Sequence, residues 1–331
     1  MRQVNGFFWW HIEPWAATSV ALRGIRVVAS RAKWGELARR YEAPTWVLVF
    51  TIYGGWLALT LAWRALPRWV ALPAGAWLSA WHMSLQHELI HGHPTRRQRV
   101  NDALAWPPLN LWLPYAIYRE SHLRHHRAAF LTDPLEDPES TYMSSADWAR
   151  AGAWRRWLHG ALNTLAGRLL LGPPCAVVRF YRQQAQSPAP RPVWLGHAAG
   201  TCLVLLWVCG VCRIDPLAYL ACFVYPGTAL TMIRALAEHR AAARPEDRTS
   251  VVEPGGPLGL LFLYNNLHIL HHEHPSIPWY DMQARWRLAR SQLLAARHGP
   301  VYRGYWEVAA RHGLRKLHPG PHPEGNEPVP T

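Results

Sequence analysis

Residues 264–275 read Tyr264-Asn265-Asn266-Leu267-His268-Ile269-Leu270-His271-His272-Glu273-His274-Pro275, and their HxxHH spacing occurs once earlier, in Ser121-His122-Leu123-Arg124-His125-His126. Side chains three and four residues apart are neighbours on one face of a helix, so each triplet of imidazoles can be aimed together. His87-Glu88-Leu89-Ile90-His91 sets two more at i and i+4, which makes eight histidines in three boxes. Neutral imidazole is the commonest protein ligand for metals and suits iron, zinc, copper or nickel. A single zinc ion is satisfied by three or four protein ligands, so this donor count points to two metals held close together. One HxxHH alone would equally describe a His-rich surface helix; two copies with an HxxxH in the same chain do not.

Around the boxes, apolar residues come in blocks. The chain has 331 residues, half of them hydrophobic, with 20 Trp and a formal charge of +14. Residues 46–66, WVLVFTIYGGWLALTLAWRAL, are uncharged until Arg64 and long enough to cross a hydrocarbon layer of roughly 30 Å. Residues 69–85 form a second uncharged run after Pro67-Arg68, and 194–212 and 216–233 form another pair about Arg213-Ile214-Asp215. The expected architecture is therefore an all-α integral membrane protein with four transmembrane helices in two hairpins. The inter-helix turns carry only Arg64, Arg68 and Arg213, while the segments outside the hairpins hold nearly all the other cations. By the positive-inside rule those segments lie in the cytoplasm, which places every histidine box on one side of the membrane.

Residues 1–45 read as a cytoplasmic lead-in in which 20–40 forms either a basic amphipathic helix on anionic lipid or a plain solvated one. No short apolar core followed by a small-residue cleavage site is present, so no signal peptide is expected. Residues 106–118 and 255–267 are apolar but too short to span, which suits interfacial or re-entrant segments leading into boxes two and three. Thr132-Asp133-Pro134-Leu135-Glu136-Asp137-Pro138-Glu139 is an acidic, Pro-broken loop. Residues 154–181, with five arginines nearby, should lie on the membrane, and Pro173-Pro174 should interrupt any longer helix. Residues 46–312 form the membrane domain, and 313–331, rich in Pro and Gly, read as a disordered tail. The five cysteines sit in or beside apolar blocks and lack paired CxxC spacing, as packing residues would.

HELIHGH, SHLRHHR and NNLHILHHEHPSIPWY, spread along two hairpins, resemble the histidine boxes of the membrane fatty acid desaturase superfamily over roughly residues 46–286. The resemblance implies a non-haem di-iron centre, dioxygen as co-substrate, and a four-span fold with a cytoplasmic His-rich catalytic cap. It makes His87, His91, His122, His125, His126, His268, His271 and His272 metal ligands. A further ligand after the fourth span would match His239 in AEHR, for which a surface histidine beside Arg240 is the alternative. An asparagine near the metals would be Asn265 or Asn266. His93 and His274 stand beside boxes without the spacing and are left as neighbours of the site.

The chemistry agrees with the resemblance. Removing hydrogen from an unactivated C–H bond needs a strong oxidant, which two irons can generate from dioxygen. An imidazole shell leaves such a cluster highly charged, so Glu88, Glu238, Asp133 and Asp137 are candidates to orient ligand imidazoles, with a solvated loop the favoured reading for Asp133 and Asp137. His87-Glu88-Leu89-Ile90-His91 also matches the HExxH of zinc proteases, but that leaves six box histidines unexplained. A metal transporter would carry ionisable ligands within its spans, and these spans are nearly free of them.

His318-Pro319-Gly320 resembles the start of a cytochrome b5 haem motif, but too little chain follows to fold around a haem. Electrons should come from a separate donor, a ferredoxin, a cytochrome b5-type protein or a flavoprotein reductase, with an acidic face suited to the Arg excess. No nucleic-acid partner is expected. The substrate expected is a lipid chain in a bacterial inner membrane, with both termini cytoplasmic. Desaturation of a fatty acyl chain leads, while hydroxylation or ketolation of a lipid or carotenoid stays open on the same boxes.

Overall fold

The computed structural model describes residues 33–253 and 255–323. Helix Ala43–Leu61 begins with Pro44 in its first turn, where the missing N–H has no intrahelical role. It presents Val47, Phe50 and Leu61 outward while Leu48, Ile52 and Trp56 face inward, the all-round apolar character of a helix with lipid on one side. After a turn in which the Arg68 guanidinium lies over the Trp63 ring at 4.2 Å, helix Arg68–Ile90 returns. It runs past the expected end at Leu85 and carries His87 in its last turn.

The second hairpin pairs Arg191–Val211 with Pro216–Glu238. Its turn is closed by the Asp215 carboxylate, which accepts N–H bonds from Leu217 (2.9 Å) and Ala218 (3.1 Å). A wide π-helical stretch flanks the turn on each side, Leu206–Val211 and Leu220–Val224. The hairpins meet through Trp56, whose indole N–H donates to Tyr219 Oη (3.1 Å), and Tyr219 in turn donates to Leu109 O (2.8 Å). Arg68–Ile90 and Pro216–Glu238 approach closely because glycine sits at the crossings. A Cβ on Gly75 would stand 2.7 Å from Cys222 O, and one on Gly227 would stand 2.4 Å from Ser79 Cβ.

Three helices, Ala43–Leu61, Arg191–Val211 and Pro216–Glu238, are long and apolar enough to cross a membrane. Arg68–Ile90 falls outside that set because His82, Gln86, His87 and Glu88 occupy its second half, all of them buried inside the protein.

Residues 154–181 do not form one surface helix. Ala153–Leu162 and Leu165–Gln186 meet at 114°, and the second runs unbroken through Pro173 and Pro174. Each proline removes the N–H that would bond the carbonyl four residues earlier, which frees Leu169 O and Leu170 O. The Tyr225 hydroxyl of the neighbouring helix stands within hydrogen-bond reach of both, at 3.4 and 2.5 Å, so the interruption expected at the prolines does not occur.

The described residues are not wholly helical: Val251–Val252 pairs in parallel with Val301–Tyr302, and His239 bridges Thr249. Residues 313–323 are not a loose tail either. Gly313 O accepts the Ala166 N–H (3.0 Å), Leu317 N–H donates to Asn163 O (2.7 Å) and His322 N–H to Met143 O (2.8 Å). Residues 324–331, the rest of the expected tail, lie outside the described residues, as does residues 1–32 of the lead-in. Helix Lys33–Arg40 covers the end of the basic stretch.

Candidate metal centre

The three boxes arrive from three directions. His87 lies in the last turn of Arg68–Ile90 and His91 just beyond it. Box two lies on Tyr115–Arg127, and box three on the short helix His268–Glu273. The approach to box three is strained: Leu263 (φ 51°) and Tyr264 (φ 58°) are consecutive left-handed residues, rare for bulky side chains. Leu263 is fully buried among Leu85, Leu89 and Tyr115, and this packing holds the turn that delivers Asn265 and His268.

The imidazoles assemble into two groups, His87, His91, His122, His126 and His271 in one and His125, His239, His268 and His272 in the other, with ligand atoms within 4.8 Å of one another in each. All eight box histidines and His239 are therefore brought together. The Nε2 atoms face inward: His91 to His122 at 3.0 Å, His126 to His271 at 3.0 Å, His239 to His268 at 2.9 Å and His268 to His272 at 3.1 Å.

The opposite nitrogens are held from outside. His125 Nδ1 meets Asp137 Oδ1 (2.8 Å), and His122 Nδ1 meets Glu139 Oε1 (3.0 Å). His268 Nδ1 lies between Glu238 Oε1 (3.2 Å) and Asn265 O (3.1 Å). Asn265 Nδ2 stands 3.1 Å from His87 Nδ1, and only with the amide turned over does its oxygen accept an Nδ1–H there. With Nδ1–H donated outward, Nε2 of His122 and of His268 carries a bare lone pair turned towards the Nε2 of other imidazoles, and His87 Nε2 is buried without a partner among the described residues. Ring nitrogens that converge in this way fit a cation between them, and imidazole donors with carboxylates behind them fit iron.

Burial and neighbouring imidazoles hold His91, His122, His268, His271 and His272 well below the usual histidine range. The same causes push His239 down to about 3. His125 is the exception: burial lowers it, but Glu139 and Asp137 outweigh burial and raise it. A neutral imidazole offers the lone pair that a metal requires.

Several neighbours differ from expectation. Glu88 touches none of the box imidazoles; it accepts the Trp279 N–H (2.9 Å) and so holds the start of helix Trp279–Ala296. Asn266 bonds Val252 O (2.8 Å) and organises the strand rather than a histidine. His93 pairs with Glu42 (2.8 Å), and the His274 N–H donates to Leu270 O (2.9 Å), closing the box-three helix. Asp133 accepts the Leu135 and Glu136 N–H groups in a loop turn. Asp137 overturns the solvated reading, since it is buried against His125. Glu139 was not singled out in the sequence, and its only signal was its place beside Asp137 in the acidic loop that follows box two.

The chain matches the fatty acid desaturase family over residues 63–306, well over half its length, and it belongs to that family. Among curated proteins none matches the chain. Family membership makes the protein an oxidoreductase of lipid in a membrane; the family uses iron, and the two histidine groups could hold it.

Proposed function

We propose that the protein desaturates a fatty acyl chain, with dioxygen as co-substrate and two non-haem irons. One iron would be held by His87, His91, His122, His126 and His271, the other by His125, His239, His268 and His272. The observation that carries this reading is the division of nine imidazoles into two adjoining groups with Nε2 inward. Bound iron with dioxygen supplies the oxidising power that an unactivated C–H bond demands. The chain's own part is to fix that centre. Asp137 and Glu139 hold Nδ1–H of His125 and His122, and Asn265 O holds that of His268 with Glu238 beside it at 3.2 Å, which sets the tautomers and places carboxylates behind the ligands.

Topology follows from the same reading. Arg68–Ile90 has 23 residues, about 34 Å at 1.5 Å per residue, enough for a fourth crossing. Its polar residues turn inward, away from lipid. Both termini and the histidine groups would then lie on the cytoplasmic side of a bacterial inner membrane. The substrate would reach the site from the bilayer along residues 106–118 and 255–267, which run into boxes two and three. Arg96, Arg97, Arg124 and Arg127 are exposed beside boxes one and two, a surface suited to a separate acidic electron donor.

The test is iron content of the purified protein together with mass spectrometry of lipids from cells with and without the gene. About two irons per chain and products lighter by two hydrogens support the reading. Products that only gain oxygen would replace it with a hydroxylase, and absence of tightly held iron would end both.

A further inference from the structure

Residues 313–323 carry no box, yet they are tied to the loop that holds two box histidines. His322 is buried at 4% exposure. Its Nδ1 lies 2.9 Å from Pro323 O and its Nε2 2.9 Å from Thr132 Oγ1. The tautomer that satisfies both has Nδ1–H donating to the carbonyl, so Nε2 accepts the Thr132 hydroxyl proton.

Thr132 is itself unusual, a β-branched residue in the left-handed region (φ 67°) and buried. Such a conformation persists only where the surroundings impose it. Every polar group of Thr132 is engaged: its hydroxyl on His322, its carbonyl accepting from Ser140 Oγ (2.6 Å), and its N–H donating to Asp137 Oδ2 (2.8 Å). Asp137 then meets His125 through Oδ1, which also accepts the Glu139 N–H (2.9 Å). Glu139 meets His122. One loop therefore orients an imidazole in each histidine group, and the chain of contacts from His322 ends on both.

We propose that residues 313–323 are a positioning strap: through His322 and Thr132 they fix the carboxylates of Asp137 and Glu139 against His125 and His122, and so set how tightly both metals are held. This inference rests on the reading of the histidines as metal ligands. Its residues touch neither metal nor substrate, and their effect passes through the loop. His322→Gln keeps an acceptor near the Nε2 position, whereas His322→Ala removes it. Thr132→Val keeps the β-branched shape and removes only the hydroxyl.

The experiment uses the full chain in nanodiscs loaded with Fe(II) without oxygen, with two readouts independent of turnover. One is the rate at which a chelator strips each iron; the other is hydrogen exchange of residues 129–141. His322→Ala and Thr132→Val should release iron about tenfold faster, the low end of what loss of an outlying ligand partner costs, and should loosen the loop. His322→Gln should stay within about twofold of wild type on the same scale. Wild-type protein that binds no iron would sink the ligand reading itself. Wild type that binds two irons while Thr132→Val releases them at an unchanged rate would overturn the strap alone, and that variant decides the matter if His322→Ala does not fold. Slow release from His322→Ala, or fast release from His322→Gln equal to that of Ala, would also overturn it.

Discussion

Asp137→Asn isolates the contribution of a single buried charge. The Asp137 carboxylate accepts three N–H groups, from His125 Nδ1 (2.8 Å), Glu139 (2.9 Å) and Thr132 (2.8 Å). An amide of the same shape has one oxygen. Turned so that this oxygen serves His125 and Glu139, its NH₂ meets the Thr132 N–H donor to donor. Turned the other way, it faces His125 with a donor, and the imidazole proton must move to Nε2, where the lone pair is needed. Either arrangement loses a charge-assisted bond of about 1.5–3 kcal/mol. Loss of such a partner weakens metal binding by about 10–100-fold, or about 1.4–2.7 kcal/mol, so the two estimates agree. The assay is an anaerobic Fe(II) titration of metal-free protein against a competing chelator. The iron held by the His125 group should weaken by that factor, with a smaller effect on the other. Affinities for both irons within about threefold of wild type would refute the idea that the carboxylate behind the imidazole sets its strength.

Three further outcomes are expected. His239→Ala should leave the four-histidine group a donor short and lose one iron and all turnover, as His125→Ala should. His312→Ala, whose ring meets Tyr302 Oη (3.2 Å) away from both histidine groups, should do neither; full iron loading in His239→Ala would remove that residue from the site. Tyr225→Phe should strand the two carbonyls freed by Pro173 and Pro174 and destabilise the protein by about 1–3 kcal/mol in detergent unfolding with iron content unchanged, and an unaltered unfolding midpoint would contradict that role. Metal-free protein should lose stability as pH falls below about 6.5, where the unfolded imidazoles take up protons that the buried ones, with lowered pKa, refuse; each contributes about 1.4 kcal/mol per pH unit. His125, which is raised, acts in the opposite sense but is one against several, so a flat unfolding midpoint between pH 6.5 and 5, measured by circular dichroism, would count against the buried neutral cluster.

Much of the site was legible because its chemistry is local. HxxHH and HxxxH announce themselves in the sequence, and helical spacing alone aims each set one way. Three of the four uncharged runs were legible as helices able to cross a membrane, although the end of the remaining one was not: Arg68–Ile90 continues past Leu85 with its polar residues buried inside the protein. Pro173-Pro174 misled because the compensating hydroxyl, Tyr225, is 51 residues away at the nearer proline (225 minus 174) and leaves no local mark. Glu139, His322 and the strand pair were illegible for the same reason, since each depends on contacts between segments distant in sequence. Glu88 shows the converse error: closeness to a box in sequence put it beside the metals, but a helix turn carries its carboxylate to Trp279 instead.

The division of each box explains why the motif is HxxHH and not merely His-rich. At 3.6 residues per turn, residues i and i+4 are about 40° apart around a helix, while i+3 lies about 60° to the other side of i. Box two gives its i and i+4 residues, His122 and His126, to the five-histidine group and His125 to the four-histidine group. Box three does the reverse, giving His268 and His272 to the four-histidine group and His271 to the other. Two helices with this spacing can therefore each serve both groups, whereas HxxxH serves one, and His87 and His91 do lie in a single group. The boxes alone give five imidazoles to one group and three to the other, and His239 brings the smaller to four. His239 comes from extended backbone (φ −131°, ψ 141°) just past the end of Pro216–Glu238, bridged to Thr249, where helical periodicity has no hold. The one donor that completes the smaller group is thus the one that no spacing rule could announce.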